Sequence, residues 1–210
     1  LEHLSACGGH PSIIDLLAWR EIGDGRLCLF FEAFNWDLHK FIAQASSNSA
    51  PIPMQQVVRL SVDLCGAVSH LHGHSVMHRD MKPSNILLLR EGHAWSPVLC
   101  DFGSSTRIVA HIGCRPAASG AILGQPAAAM TRNVTTLWYA APEMLMPGEP
   151  YSLPADVWSL GLVIAELESG RPVCAADTDS DPEQLLQEWL MWRQLRVRGL
   201  CQPAAARLSP

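Results

Sequence analysis

The chain carries HRDMKPSN at residues 78–85 and DFG at residues 101–103. Transfer of a phosphoryl group needs a carboxylate beside the attacking hydroxyl, a cation at the migrating group and oxygen ligands for Mg²⁺. Two more stretches follow, APE at residues 141–143 and DVWSLG at residues 156–161, and chance does not explain four such stretches in this order. The candidate groups are Asp80, Lys82, Asn85 and Asp101.

These stretches resemble the catalytic loop and the Mg²⁺-binding motif of protein kinases. The resemblance implies that Asp80 orients the substrate hydroxyl and accepts its proton, and that Lys82 stabilises the charge of the γ-phosphate. Asn85 and Asp101 match the two Mg²⁺ ligands. A lysine two positions after the aspartate is typical of serine/threonine kinases rather than of tyrosine kinases. The implied activity is transfer of the γ-phosphoryl group of ATP to Ser and Thr hydroxyls of proteins.

Residues 27–38, LCLFFEAFNWDL, are similar to the strand and hinge of cyclin-dependent kinases. The resemblance implies that Phe31 is the gatekeeper and that Glu32 and Phe34 are the backbone partners of adenine. It also implies that Asp37 lies near the ribose and that Leu87 forms the apolar floor beneath the base. Phe31 also fits an ordinary core aromatic, and the two interpretations are compatible.

Residues 131–139, TRNVTTLWY, are similar to the end of a cyclin-dependent kinase activation segment. Thr131 matches the position that is phosphorylated there, and Arg79 would receive that phosphate through a bidentate pair. Thr136 matches a threonine that bridges the catalytic Asp and Lys. An unmodified loop hydroxyl is the alternative for Thr131. The implied partners are protein substrates, a cyclin-like activating subunit and an upstream activating kinase.

The resemblance also implies a set of structural residues. His78 would stack with Phe102, Leu16 and Leu4 in an apolar column. Asp156 would hold the base of that column by accepting backbone N–H bonds of the catalytic loop. Glu143 would pair with a late-domain arginine, although no convincing arginine follows it in the sequence.

The family pattern is incomplete in two ways. No Gly-x-Gly-x-x-Gly and no Val-Ala-x-Lys occurs in the 210 residues. Ala140 stands where related kinases carry the arginine that supports recognition of proline after the target residue. We therefore expect an incomplete kinase domain, truncated at both ends and inactive as a fragment. A non-catalytic, pseudokinase-like interaction fragment is the alternative function.

The expected fold is α+β and two-lobed, with a partial N-lobe and hinge at residues 1–34 and a mainly helical partial C-lobe at residues 35–210. In the N-lobe, Asp24-Gly25 is typical of a hairpin turn between two strands. Apolar residues at helical spacing predict a helix at residues 54–72. Residues 156–167 are apolar nearly all round, so we expect a helix there that lies deep in the core. The predicted strands are 13–17, 27–31, 86–89 and 98–100, the helices 54–72, 156–167 and 182–198, and the loops 46–53 and 110–130.

Composition excludes several other classes of protein. The net charge is −5 and no dense Lys/Arg run occurs, so nucleic-acid binding is not expected. No apolar stretch approaches the ~20 residues of a membrane span. Seven widely spaced cysteines favour reduced thiols in an intracellular protein, cytoplasmic or nuclear. The histidines at positions 70, 72, 74 and 78 would not converge on one metal ion.

Overall fold

The computed structural model describes residues 9–92, 94–108, 137–146 and 151–174. The strands in these ranges are β1 (Ala18–Ile22), β2 (Arg26–Phe30), β3 (Trp36–Asp37), β4 (Val76–Met77), β5 (Ile86–Glu91), β6 (Ala94–Leu99) and β7 (Thr106–Arg107). The α-helices are α1 (Leu38–Ser47), α2 (Met54–Gly73), α3 (Pro142–Leu145) and α4 (Pro154–Ser169). Single 3₁₀ turns form at Pro83–Asn85 and Phe102–Ser104.

Strands β1 and β2 form the predicted hairpin. Asp24 and Gly25 both have positive φ, 56° and 70°, as such a turn requires. The first strand, however, begins at Ala18, so the predicted strand at residues 13–17 is wrong. Ile13 instead makes an isolated parallel bridge to Leu99, and its side chain is buried in the large hydrophobic core.

The main core lies between the two long helices. The predicted helix at residues 54–72 is confirmed as α2, and its apolar residues recur every three to four positions. They bury against one face of α4. The fully or nearly fully buried side chains are Leu60, Leu64 and Leu71 of α2 and Leu160, Val163 and Leu167 of α4.

Helix α4 extends beyond its predicted limits at both ends, and it is not buried all round. Val157 is 55 % exposed, whereas the charged residues Asp156 and Glu166 are only 2 % and 3 % exposed. The expectation of a helix buried on every side is therefore wrong. The largely apolar sequence did not indicate that the carboxyl groups of Asp156 and Glu166 face the interior while Val157 faces outward.

Short strands hold the two sequence motifs in place. Strands β3, β5 and β6 form one antiparallel sheet in that order, and β4 pairs with β7. Residues 78–85 connect β4 to β5, and residues 100–105 connect β6 to β7. The predicted strand at 86–89 is confirmed within β5, whereas β6 begins earlier and ends one residue sooner than predicted. The loop predicted at 46–53 begins only after Ser47, where α1 ends.

Some predictions fall outside the described residues: the loop at 110–130 and the helix at 182–198. Across the described ranges, no helix combines the length and apolar character that crossing a membrane requires.

Candidate active site

The catalytic loop holds Asp80 in a network of its own polar residues. Lys82 Nζ lies 2.9 Å from Asp80 Oδ2, and Asn85 Nδ2 donates to the same oxygen at 3.0 Å and to the Asp80 carbonyl at 2.8 Å. Both side chains of the ion pair are largely buried. The other oxygen, Asp80 Oδ1, is buried and accepts no hydrogen bond from the described residues. One oxygen of this carboxylate is therefore fixed, while the other keeps its capacity to accept a hydrogen bond.

His78 connects the loop of Asp80 to the segment of Asp101. Its Nε2 donates to the Cys100 carbonyl at 2.9 Å, and its Nδ1 accepts the backbone N–H of Asp80 at 3.3 Å. A carbonyl only accepts and an N–H only donates, so this ring is the neutral Nε2–H tautomer. Complete burial lowers the pKa of His78 and favours the same neutral form. The predicted stack with Phe102 is confirmed, with ring centroids 4.9 Å apart.

The predicted column also includes Leu16 and Leu4. Leu16 is half-buried, and its place in the column stays a prediction. Leu4 lies outside the described residues.

Asp156 anchors the catalytic loop, as predicted. Its two carboxylate oxygens accept the backbone N–H groups of His78 and Arg79, both at 2.9 Å. His72 Nε2 also donates to it, at 3.0 Å, from the end of α2. A buried carboxylate is stable only when such donors compensate its lost hydration. Asp156 thus joins α4, α2 and the catalytic loop at one point.

Asp101 and Asn85 come together through their backbones. The N–H of Cys100 donates to the Asn85 carbonyl at 2.9 Å, which places Asp101 beside the end of the catalytic loop. Asp101 has φ 60° and accepts the N–H of Gly103 through Oδ1 at 3.3 Å. Because the Asn85 amide nitrogen faces Asp80, its oxygen is available as a ligand. An exposed carboxylate and an amide oxygen fit Mg²⁺, which takes few protein ligands and completes its octahedron with water and phosphate.

The predicted nucleotide residues lie on the hinge side of this site. Asp37 and Leu87 are directly paired in the β3–β5 register, so these two residues are brought together. Asp37 also caps α1 by accepting the N–H of Lys40 at 2.8 Å and forms an ion pair with its Nζ at 2.9 Å. Phe31 is 37 % exposed, which argues against the core-aromatic interpretation. Glu32 is exposed and Phe34 is half-buried, and their contacts with adenine stay predictions.

Cys100 lies between the end of β6 and Asp101, and its side chain is half-buried. Burial raises the pKa of its thiol to about 11, and the negative charges of Asp101 and Asp37 contribute to the increase. The thiol therefore stays protonated near neutral pH.

Arg79 takes a strained backbone conformation, with φ 71°. Its Nε donates to the Ser104 carbonyl and its Nη1 to the Tyr151 hydroxyl at 3.4 Å. These contacts link the catalytic loop to the segment after Asp101. Thr131, the predicted source of a phosphate for Arg79, lies outside the described residues, as does Thr136.

Comparisons with known proteins agree with this geometry. Residues 1–204 match the protein kinase domain family. The chain belongs to the protein kinase family. It is 37 % identical over 164 residues to cyclin-dependent kinase B2-1 of Oryza sativa subsp. japonica, an alignment that covers 78 % of this chain and 44 % of that protein. This kinase chain thus spans less than half the length of that relative, and it is cyclin-dependent-kinase-like.

The kinase also contains a buried pair that the sequence reasoning missed. The Tyr139 hydroxyl donates to Glu166 Oε2 at 2.5 Å, and Ser159 Oγ donates to the Tyr139 carbonyl at 2.7 Å. Burial raises the pKa of Tyr139, and the Glu166 contact raises it further. Burial also raises the pKa of Glu166. A glutamate inside an otherwise apolar helix was the available signal, because such a side chain needs a buried donor.

A small cavity lies where the catalytic loop of the kinase meets the segment at residues 137–146. Apolar side chains supply much of its lining. Glu143, which lies in α3 within that segment, is half-buried, and its pairing with an arginine stays a prediction. The lining residues include Asp80, Met81, Leu137, Tyr139, Ala140 and Met144.

Proposed function

We propose that this chain supplies the catalytic loop of a protein serine/threonine kinase, which transfers the γ-phosphoryl group of ATP to Ser and Thr side chains. The observation that carries the proposal is the difference between the surroundings of the two carboxylate oxygens of Asp80. Oδ2 is held by Lys82 and Asn85, whereas Oδ1 is buried without a donor. A buried acceptor without a partner is costly, and an incoming hydroxyl would satisfy it.

Asp80 would orient the substrate hydroxyl through Oδ1 and accept its proton as the new phosphoester bond forms. Lys82, 2.9 Å from Oδ2, carries the positive charge that would meet the transferred group. The shared contact keeps the base and the cation at a fixed separation during the reaction.

Asn85 and Asp101 would hold Mg²⁺, which neutralises charge on the phosphates of ATP when it is bound. Support comes from their oxygen donors and from the backbone bond that keeps the two segments adjacent. Phe31, Glu32 and Phe34 would contact adenine. Leu87 and Asp37, paired across β3 and β5, would lie beneath the base and near the ribose.

Regulation would act through the segment that follows Asp101. Arg79 has five N–H groups, and the two bonds to Ser104 and Tyr151 leave others for a phosphate on Thr131. An upstream kinase would add that phosphate, and a cyclin-like subunit would be the activating partner. The similarity to a rice cyclin-dependent kinase supports the cyclin-like partner, and a cytoplasmic or nuclear location would fit this proposal.

A radiolabelled transfer assay tests the proposal on the protein that carries this chain with its natural flanking sequence. We expect phosphate from [γ-³²P]ATP on Ser/Thr peptides and not on matched Tyr peptides. Asp80→Ala and Asp101→Ala should each lower the rate on the order of 10³-fold or more. Ser84→Ala, an exposed change in the same loop, is the matched control and should retain the rate.

Binding of ATP without any transfer would contradict the catalytic proposal and favour the non-catalytic alternative. A thermal shift with ATP and Mg²⁺ separates these outcomes, because a ligand that binds the folded state raises its melting temperature.

The same assay tests whether the enzyme prefers proline directly after the target Ser or Thr. Ala140, which is buried beside the cavity, occupies the position where related kinases have an arginine. We expect weak discrimination between Ser-Pro peptides and the same peptides with Ala in the proline position. Ala140→Arg should raise that discrimination, and a strict preference for proline in the unmodified protein would show the interpretation to be wrong.

A further inference from the structure

Three histidines from two segments stack against one another near the C-terminal end of α2. His10 precedes the hairpin, and its ring centroid lies 5.3 Å from that of His70 in α2. The centroid of His74, the C-cap of α2, lies 4.5 Å from His70 on the other side. Gly66 lies against this arrangement, because a Cβ there would lie in van der Waals contact with His10 Nε2, 3.4 Å away. The stack joins the loop before the hairpin to the C-terminal end of α2.

One outer ring of the stack accepts a backbone hydrogen bond, and the other donates one. His10 Nδ1 accepts the backbone N–H of Ser12 at 3.1 Å, so this nitrogen carries no proton. His74 Nδ1 donates to the carbonyl of His70 at 2.8 Å. Between them, Nε2 of His70 is buried and has no hydrogen-bond partner among the described residues. A proton added at that nitrogen would have no acceptor there.

The charges around His70 also oppose protonation. Burial lowers the pKa of His70 most, followed by the positive charges that His74 and His10 would carry. No carboxylate is among these influences from the described part of the chain. His72, two positions away on the same helix, contrasts with it, because its Nε2 lies 3.0 Å from the carboxylate of Asp156. Neighbouring histidines of α2 therefore face opposite electrostatic surroundings.

We propose that His10, His70 and His74 form a proton-sensitive contact between the loop at residues 9–12 and the end of α2. The contact is closed while His70 is neutral. Protonation of His70 would place a buried charge between two imidazole rings whose centroids lie 5.3 and 4.5 Å away, and it would separate the two segments. Because α2 leads through β4 directly into His78, opening would loosen the support of the catalytic loop.

The direction of the pH dependence follows from linkage. A histidine whose pKa is lowered by folding binds fewer protons in the folded state than in the unfolded state. Its stabilising contribution is present above the usual pKa of 6.5 and is lost as the pH falls through the lower, folded value. The contribution of His70 to the stability of the fold should therefore decrease between neutral and mildly acidic pH.

Thermal unfolding at pH 7.5 and pH 5.5 tests the proposal on the intact protein. His70→Phe keeps an aromatic ring but removes the titrating group. We expect the acid-induced decrease in Tm to shrink by about 2–4 °C in this variant, and His10→Phe should act in the same direction. Gln44→Phe, which introduces the same ring at an exposed and non-titrating position of α1, is the matched control and should keep the decrease seen in the unmodified protein. An unchanged decrease in His70→Phe would overturn the proposal.

An NMR titration of the imidazole resonances decides the matter even if a variant folds poorly. A pKa of His70 below 6.5 in the unmodified protein supports the proposal, and a value at or above 6.5 overturns it. Zn²⁺ provides a further check. A rise in Tm with ZnCl₂ that both His70→Phe and His10→Phe abolish would replace the proton-sensitive contact with a metal site.

Discussion

The β1–β2 hairpin and the catalytic loop differ sharply in what holds them. Every residue of β1 is exposed, and in β2 only Cys28 is half-buried. Trp19, Leu27 and Leu29 are 53 %, 60 % and 47 % exposed. The hairpin thus depends on its own backbone hydrogen bonds and on the positive φ angles of Gly23, Asp24 and Gly25 in its turn.

The catalytic loop has the opposite character. Few of its residues belong to regular structure, yet His78 and Met81 are almost completely buried. Its conformation is set by long-range bonds to α4 and to the segment of Asp101. The comparison teaches that regular secondary structure is a poor guide to rigidity here. The irregular loop is the part that the core positions.

The strongest way to break this comparison is to remove the anchor of the loop. Asp156→Ala leaves the buried N–H groups of His78 and Arg79 without an acceptor. We expect a loss of about 3–5 kcal/mol in the free energy of unfolding, since each abandoned buried donor costs about 1–3 kcal/mol. Urea denaturation measures it. Glu21→Ala in the hairpin is the control, and equal losses in the two variants would contradict the contrast.

Truncation of one leucine in each region tests the same contrast in apolar packing. Leu64 is completely buried, and Leu64→Ala should cost about 2–5 kcal/mol of unfolding free energy because it leaves a cavity. Leu27→Ala, at an exposed site, should stay within about 0.5 kcal/mol. Midpoints of urea denaturation compare the two. A larger effect at Leu27 would mean that the hairpin is covered in solution.

The Tyr139–Glu166 pair sharpens the comparison through pH. Tyr139→Phe removes the donor to a buried carboxyl and should cost about 1–3 kcal/mol near neutral pH. Because burial raises the pKa of Glu166 in the folded state, its contribution is present below the usual value of 4.5 and is lost as the pH rises. The tyrosine hydrogen bond lowers that pKa, so its removal should steepen the loss. Unfolding from pH 4.5 to 7.5 measures the slope, and adding Glu166→Gln should abolish the difference.

The smallest effect is expected at the hairpin turn. Gly25 has φ 70°, so Gly25→Ala should cost about 1 kcal/mol locally. Amide hydrogen exchange should speed up in β1 and β2 while the catalytic loop keeps its protection. Faster exchange at His78 and Arg79 would show that the two regions are coupled after all.

The sequence predicted those elements whose signals are local. Helix α2 follows from apolar spacing, and the hairpin turn follows from Asp24-Gly25. The positions of the strands were harder to predict from the sequence. Ile13 and Ile14 are buried like strand residues, but Ile13 makes only an isolated bridge to Leu99. Pro97 inside β6 hid the early part of that strand, since proline removes a ladder donor.

For the site, the motif residues Asp80, Lys82 and Asn85 were predictable together, as was the anchor at Asp156. The partners of Glu166 and Arg79 were not. Tyr139 lies 27 positions before Glu166 in the chain, and Tyr151 lies 72 positions after Arg79. No local pattern reports such pairings, because they depend on how α4 packs against the segments on either side of it.

The anchoring of the catalytic loop by Asp156 has a consequence for the order of events during synthesis. The N–H of His78 and its acceptor are 78 positions apart in the chain. At about 5–20 residues per second, a ribosome adds that stretch in about 4 to 16 s. During this interval the nascent loop lacks the carboxylate that fixes its backbone. The loop can take its final conformation only after α4 has been synthesised. The active site is therefore a late product of chain growth, although its chemical groups are made early.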